Sequence, residues 1–272
     1  MVTFTKITEQ VYVLTDRAGC CGNLVIGKER ALLFDLGIGA DDFGAAARTL
    51  TDLPLTVILS HGHIDHIGGS VYFDEVYMRQ EERSVFVEYS DEIVTGWMKD
   101  MCGKELPEDY KYDCRGWVQI KDLEMGSFDL GDLPCEIISL QGHTIGSVGI
   151  YLPTLRLLLS GDALTPVMCM NFTNHMGLEE LAGTIRMVQN MEIDYYLTSH
   201  HNYLMPKEQL AEMLVCLDNV PNARFMEYQY ATPPYDMGWF TIHRLEGEPI
   251  GLIMAYDTPD MGKKKRKQKE EA

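Results

Sequence analysis

Apolar residues along the chain occur in short runs bounded by polar turn residues, a pattern that predicts strands more often than long helices. In the first sixty residues these runs are QVYVLTD, NLVIGKE, RALLFDLG and LTVILS, at 10–16, 23–29, 30–37 and 55–60. The stretch DDFGAAARTL at 41–50 is typical of a helix. The pattern therefore predicts a meander of strands followed by a β-α-β step.

The same order of elements returns in outline in the second half. Strands are predicted at 135–142, 147–153, 155–162 and 194–201, with a helix at 178–191 before the last of them. A helix near 206–218 follows, and apolar runs within 224–257 predict a small C-terminal set of strands. No repeat is visible at the level of individual residues, so the two halves are similar only in architecture.

Length and element order predict a single domain over residues 1–262. Within it, residues 78–118 are helix-compatible at first and then irregular, which predicts a lid-like insertion. The aromatic residues Trp97, Tyr110 and Trp117 of this insertion either line a pocket or belong to the core, the more common use of tryptophan.

The charge of the chain restricts its partners. The formal net charge is −18, and the tail KKKRKQKEEA at 263–272 carries six positive and two negative charges, so residues 1–262 carry −22. We expect the tail to be disordered, because a block of like charges repels itself and has nothing to bury. A body this acidic repels a phosphate backbone, which argues against nucleic acid and favours a small-molecule substrate.

The segment MVTFTKITEQVYVLTD lacks the basic start and apolar core of a secretory signal, and no stretch approaches the length of a membrane span. The seven cysteines show no C-x-x-C spacing, which is typical of free thiols in a reducing compartment. We therefore expect a cytoplasmic protein without a membrane partner. The adjacent Cys20 and Cys21 are either metal or redox residues or, the simpler interpretation, small buried or loop residues.

Candidate chemistry is concentrated in the segment LSHGHIDHIGGS at 59–70, where a predicted strand ends. This segment contains His61, His63, Asp65 and His66, although the whole chain has only eight histidines. Three further predicted strands also end in a histidine or an aspartate, namely His143, Asp162 and His200. Imidazole and carboxylate groups suit zinc, iron and manganese, so the pattern predicts a metal site.

These segments resemble those of the metallo-β-lactamase superfamily. The matching motifs are HGHIDH at 61–66, QGHTIGSVGIYLP at 141–153, SGDAL at 160–164 and TSH at 198–200, and the resemblance extends over roughly 7–203. It implies an α+β fold, a four-layer αββα sandwich with the metal site at one edge of the two sheets.

The resemblance also implies a ligand set. His61, His63 and His143 would hold one metal ion, Asp65, His66 and His200 a second, and Asp162 would bridge the two. The family usually has glycine before the last histidine, whereas this chain has Ser199 followed by a histidine pair, so His201 is an alternative to His200. Asp35 is either a partner for a histidine N–H group or a cap for the adjacent glycine-rich turn.

The implied enzyme is a dinuclear metal hydrolase in which a metal-bridging hydroxide attacks a small ester, thioester or lactone. Asp65 would both ligate a metal and orient this hydroxide. His175, His201 and Tyr203 are candidates for protonating the leaving group or holding an oxyanion. Zinc is the first choice for the two divalent ions, with iron and manganese as alternatives.

Two other functions remain open at this stage. The first is hydrolysis of a small phosphodiester, since two metal ions can neutralise phosphate charge. The second is a metal-containing binding or signalling module in which hydrolysis is incidental. A closed structural zinc site is a poor match, because such sites usually have four ligands. The C-terminal strands could form a homodimer interface.

Overall fold

The computed structural model describes residues 1–83, 90–103, 106, 111–112, 119–170, 172 and 174–219, and the backbone of three strands after residue 225. Among these residues, no helix combines the length and the apolar character needed to cross a membrane.

In the described part of the chain, the first sheet has seven strands, and neighbours in the sheet are also neighbours in sequence. They are β1 (Thr3–Lys6), β2 (Val11–Thr15), β3 (Cys21–Ile26), β4 (Ala31–Phe34), β5 (Leu55–Ile58), β6 (Glu75–Met78) and β7 (Gln119–Asp122). Strands β1 to β4 pair antiparallel, whereas β4 to β7 pair parallel. The carboxyl ends of β4, β5 and β6 therefore meet at one edge of the sheet.

The described residues form two further sheets. The second has the order β14-β13-β11-β10-β9-β8 and the third the order β12-β17-β16-β15. Their strands are β8 (Gly126–Asp129), β9 (Pro134–Ser139), β10 (Val148–Leu152), β11 (Leu157–Leu159), β12 (Val167–Met170), β13 (Tyr195–Leu197), β14 (Met205–Pro206), β15 (Met226–Tyr228), β16 (Gly238–His243) and β17 (Leu252–Tyr256). Strand β12 pairs parallel with β17, so the C-terminal strands extend from β12.

Among the described residues, the α-helices are α1 (Phe43–Ala47), α2 (Ile64–Ile67), α3 (Asp91–Cys102), α4 (Leu178–Gln189) and α5 (Gln209–Asn219). The carboxylate of Asp42 accepts a hydrogen bond from the amide of Ala45 and so caps α1. Ser90 caps α3 in the same way, and this helix buries Val94 and Met98, which lie four residues apart on one face.

Three buried clusters show how the layers are stacked. The cluster between the two large sheets contains Val25 and Phe34 of the first and Ile150 and Leu159 of the second. A second cluster joins the outer face of the first sheet to α1 and α3, and a third joins the outer face of the second sheet to α4 and α5. Helix, sheet, sheet and helix thus form four layers, which confirms the predicted α+β sandwich of the metallo-β-lactamase type.

Helix α3, which lies within the predicted lid, packs against the outer face of the first sheet. Residue 78 ends β6 instead of starting a helix, because the run EVYM alternates between buried and half-buried positions as a strand does. The side chain of Trp97 packs against the core cluster on the outer face of the first sheet, as in the core interpretation. Tyr110, Trp117 and the basic tail at 263–272 lie outside the described residues, and the lid and single-domain interpretations stay predictions.

A close backbone contact positions the metal-ligand segment on the first sheet. A Cβ atom at Gly68 would lie 2.1 Å from the carbonyl oxygen of Ile38, and one at Gly39 would lie 2.6 Å from that of Gly68. Only glycine at 68 therefore lets the two chain segments approach this closely. The carbonyl oxygen of Gly68 also accepts a hydrogen bond of 2.7 Å from the hydroxyl of Tyr112.

A partly buried ion pair joins two loops at the same edge of the sheet. The guanidinium of Arg17 donates to both carboxylate oxygens of Asp41, at 2.6 and 3.1 Å, and the Arg17 amide donates at 3.0 Å. The amino group of Met1 lies 3.0 Å from Asp41 Oδ1. Burial opposes the charged carboxylate, but Arg17 and this amino group outweigh it and lower the pKa of Asp41 to about 2.

We expect Asp41→Asn to lower the free energy of unfolding by up to about 2 kcal/mol at pH 7. A depressed pKa stabilises the fold above pH 3.8, the ordinary value, and this contribution is lost as the pH falls towards 2. Urea unfolding at pH 7 and pH 3 should therefore give a difference that falls to about half at the lower pH. Asp52→Asn, at an exposed loop position, is the control. A difference independent of pH would contradict the ion-pair assignment.

Candidate metal centre

The predicted ligands lie where strands of both large sheets end. His61 follows β5 of the first sheet, whereas His143, Asp162 and His200 follow β9, β11 and β13 of the second. A backbone hydrogen bond joins the two sheets at this edge. The Val148 amide donates to the Ser60 carbonyl oxygen at 3.0 Å. The sandwich therefore brings segments far apart in sequence into one site.

Three imidazole rings form the first ligand group. Nε2 of His61, Nδ1 of His63 and Nε2 of His143 lie 2.9, 3.0 and 3.2 Å from one another. Nitrogen ligands at tetrahedral angles around zinc are about 3.3 Å apart. The three rings are therefore spaced as ligands of one ion would be.

Hydrogen bonds fix which ring nitrogen of His61 and of His143 keeps a lone pair. Nδ1 of His143 lies 2.8 Å from the carbonyl oxygen of Cys169, which can only accept, so Nδ1 carries the proton. Nδ1 of His61 lies 2.9 Å from the hydroxyl of Ser60, whose own proton goes to Asp35. In both rings Nε2 therefore presents a lone pair to the centre of the group.

The first group is neutral. Burial, followed by the neighbouring rings, lowers the pKa of His61 well below its ordinary value. Burial and then His143 lower the pKa of His63 to about 3, and burial lowers the pKa of His143. All three rings are thus neutral at neutral pH, each with one N–H group and one nitrogen lone pair, which is the state that binds metal ions.

The second ligand group contains two carboxylates and two imidazoles. Nε2 of His200 lies 3.1 Å from Oδ2 of Asp162 and 3.3 Å from Oδ2 of Asp65. Nε2 of His66 lies 3.4 Å from the same oxygen of Asp162 and 3.6 Å from that of Asp65. His200, and not His201, is the member of the histidine pair that contributes to this group.

Two atoms of the second group lack a hydrogen-bond partner although they are buried. They are Nε2 of His66 and Oδ1 of Asp162. An unpaired buried polar group destabilises a fold, and a bound cation would satisfy both atoms. Oδ2 of Asp162 also lies 3.8 Å from Nε2 of His143, so this carboxylate stands between the two groups.

The electrostatics of the second group also favour a cation. Burial opposes charging of His66 and His200, but the carboxylates of Asp162 and Asp65 outweigh it, with Asp35 contributing at His66. They raise the pKa of both rings well above the ordinary value. A potential that stabilises a proton on these rings also stabilises a divalent cation between them. The residues present therefore fit a metal ion at either group.

Asp35 contacts a ring of the second group directly and a ring of the first group through Ser60. Its Oδ2 lies 3.0 Å from Nδ1 of His66, so it is the histidine partner that the sequence suggested. The same oxygen accepts hydrogen bonds from the hydroxyls of Ser60 at 2.8 Å and Ser199 at 2.6 Å. Oδ1 accepts from the Ser60 amide at 2.7 Å.

The other candidate catalytic residues lie outside the two ligand groups. Nδ1 of His201 lies 2.8 Å from the hydroxyl of Thr198, and its ring packs edge-on against Tyr203 with ring centroids 5.3 Å apart. Nδ1 of His175 donates to the carbonyl oxygen of Met176 at 2.5 Å. The catalytic roles of these three residues stay predictions.

Three residues next to the first group, Glu82, Phe172 and Asn174, are not predicted by the sequence. The ring of Phe172 packs on the ring of His63, with centroids 4.1 Å apart. The amide oxygen of Asn174 lies 3.4 Å from Nε2 of His63, and the amide nitrogen donates to Glu82 at 3.1 Å. Phe172 and Asn174 carried no sequence signal, because they follow β12 in an irregular segment without a recognisable motif.

Comparison with known proteins shows which proteins this chain is similar to. The family model described as the metallo-beta-lactamase superfamily matches residues 23–80. The acyl-coenzyme A thioesterase MBLAC2 of Gallus gallus is 27% identical over 172 residues, which are 58% of this chain and 61% of that protein. The probable metallo-hydrolase YqgX of Bacillus subtilis is 28% identical over 145 residues, which are 52% of this chain and 64% of that protein. The chain thus spans less than two thirds of either relative.

A metallo-beta-lactamase from Pontibacter korlensis has the same fold. Its structure matches with a TM-score of 0.57 and 19% identity, covering 80% of this chain and all of the other. At this identity the match concerns the fold alone. The family match over residues 23–80 and the related sequences agree with the resemblance of this chain to the metallo-β-lactamase superfamily.

Proposed function

We propose that the chain is a hydrolase with two divalent metal ions that cleaves a small carboxylic ester, thioester or lactone. The observation that carries this proposal is the convergence of seven histidine and aspartate side chains in two groups, with Asp162 between them. A single structural ion would need only four ligands. Seven ligands with one intervening carboxylate instead suit a pair of ions.

In this proposal His61, His63 and His143 hold one ion, and Asp65, His66 and His200 hold the other. Asp162, which lies between the two groups, would contribute its carboxylate to both ions. Two ions held there would supply an activated water molecule and polarise the carbonyl oxygen of the substrate. Zinc suits this ligand set, and iron and manganese are the alternatives.

Exposure indicates the side from which a substrate approaches. The side chains of Asp65 and His200 are 24% and 30% exposed, whereas that of His66 is fully buried. The second group is therefore open on the face formed by Asp65 and His200. From this face the carboxylate of Asp65 can accept a hydrogen bond from the attacking water and orient its lone pair.

A thioester is the leading substrate among the three classes. Support comes from relatives named acyl-coenzyme A thioesterase, at 24% to 27% identity. The ring of Phe172 beside His63 supplies an apolar surface suited to an acyl chain. Two further interpretations of the sequence, a cytoplasmic location and a homodimer formed by the C-terminal strands, stay predictions.

The first test measures metal content and bond specificity together. We expect close to two zinc, iron or manganese ions per chain in protein purified without chelators. A chromogenic panel of carboxyl esters, thioesters, lactones, β-lactams and phosphodiesters should show turnover of thioesters, lost on chelation and restored by added metal. Two ions with turnover of phosphodiesters alone would replace the substrate class. Less than one ion per chain, with no gain on metal addition, would overturn the proposal.

The second test addresses the carboxylate on the open face. We expect Asp65→Asn to lower kcat by about 10²- to 10⁴-fold, because the amide retains the size of the side chain but loses the negative charge that orients water and ligates metal. Asp74→Asn, at an exposed position, is the matched control and should change kcat less than twofold. Unchanged turnover in Asp65→Asn would remove this residue from the mechanism.

The third test identifies the leaving-group acid. An alkoxide is far more basic than a thiolate and needs a proton donor more, so an alkyl ester and a thioester with the same acyl group can distinguish donors. The variants are His175→Gln, His201→Gln and Tyr203→Phe. Loss of the donor should lower kcat for the alkyl ester about 10²-fold or more and that for the thioester less than tenfold. Equal losses on both substrates in all three variants would exclude these residues as donors.

A further inference from the structure

Glu82 is a fully buried carboxylate that no ligand motif includes. It lies in a short 3₁₀ helix after β6 and accepts hydrogen bonds from three separate loops. Oε2 accepts from the amide of Gly62 at 2.9 Å and from Nδ2 of Asn174 at 3.1 Å, and Oε1 accepts from the amide of Gly146 at 2.6 Å. One carboxylate thus binds the loop between His61 and His63, the loop after His143 and the loop after β12.

The packing around Glu82 explains part of the motif GHTIGS at 142–147. A Cβ atom at Gly146 would lie 2.7 Å from Oε1 of Glu82, so a larger residue would displace the carboxylate. The hydroxyl of Thr144 is a further hydrogen-bond partner of Glu82 and lies 2.6 Å from that of Ser147. Thr144 and Gly146 therefore contact Glu82 directly, and Ser147 contacts the hydroxyl of Thr144.

Glu82 also determines the orientation of the Asn174 amide. A carboxylate can only accept, so the NH₂ group of Asn174 must point to Glu82 and its oxygen must point away. That oxygen lies 3.4 Å from Nε2 of His63, which places an acceptor beside this nitrogen. The proton of His63 then belongs on Nε2, and Nδ1 keeps the lone pair that faces His61 and His143.

We propose that Glu82 is a positioning residue that acts through Asn174 and the Gly62 and Gly146 amides to set the lone pair of His63 and the spacing of the three-histidine group. Among those three rings His63 is the one that presents Nδ1, the nitrogen nearer the backbone, so small movements of its loop displace the lone pair directly. This role rests on the proposed function, because it assumes that the three rings bind a metal ion.

The test measures stepwise metal affinity instead of activity. Metal-free protein is titrated with cobalt(II), followed by visible absorbance and by competition with a chromogenic chelator. The variants are Glu82→Gln, whose amide cannot accept from all three donors, and Asn174→Ala, which removes the acceptor beside His63 but leaves both glycine contacts of Glu82. The matched control is Glu81→Gln, an exposed neighbour paired with Arg79.

We expect Glu82→Gln and Asn174→Ala each to weaken one of the two cobalt affinities by about 10- to 100-fold. The other affinity should change less than threefold, and Glu81→Gln should change neither. A role in folding alone would instead weaken both affinities equally or neither, and either result overturns the proposal. If Glu82→Gln fails to fold by circular dichroism, Asn174→Ala decides. Fewer than two cobalt ions on the parent protein would overturn the proposed function itself.

Discussion

The buried carboxylate of Asp35 is the interaction on which both ligand groups depend. It holds His66 directly and His61 through the hydroxyl of Ser60, so one side chain fixes a ring in each group. Its backbone has a φ of +66°, in the left-handed region that is unfavourable for residues other than glycine by about 1–2 kcal/mol. Such a conformation persists only where surrounding contacts over-determine it. Here those contacts are the hydroxyls of Ser60 and Ser199, the amide of Ser60 and the ring of His66.

The same constraint accounts for glycines around the site. A Cβ atom at Gly22 would lie 2.3 Å from the carbonyl oxygen of Asp35, and one at Gly161 would lie 2.6 Å from the side chain of Ser60. Gly161 itself has a φ of +54°, which lets the chain turn between β11 and Asp162. Neighbouring atoms thus lie so close to Gly22 and Gly161 that neither position has space for a methyl group. This close packing is what allows ligands from β5, β9, β11 and β13 to meet within hydrogen-bond distance of one another.

Much of the site could be predicted from sequence because each ligand follows an apolar strand and carries an unusual residue type. His61, His143, Asp162 and His200 can be assigned in this way. The apolar runs also predict β2, β4 and β5 with ends up to three residues too long, whereas β3 begins two residues before its predicted run and β1 is not predicted. Strands β7 and β8, QIKD and GSFD, could not be predicted, because they lie at sheet edges where most side chains are exposed and no alternation is imposed. Glu82 was missed for a related reason. It stands in the charged run RQEER, which is typical of a solvated surface, and only the three-dimensional fold turns it inward.

The two ligand groups differ in charge, and this difference bears on the substrate. The three-histidine group contributes no charge, whereas Asp65 and Asp162 contribute two negative charges to the second group, with Asp35 behind them. Two divalent cations would therefore leave a net positive site inside a body that carries −22 over residues 1–262. In the proposed function, such a site would attract the polarised carbonyl oxygen of a thioester at short range. The acidic surface, however, repels the phosphates of a coenzyme A group at longer range, by an amount that salt reduces. Within the proposed function, the charge of this chain therefore favours a thioester whose leaving group carries little negative charge.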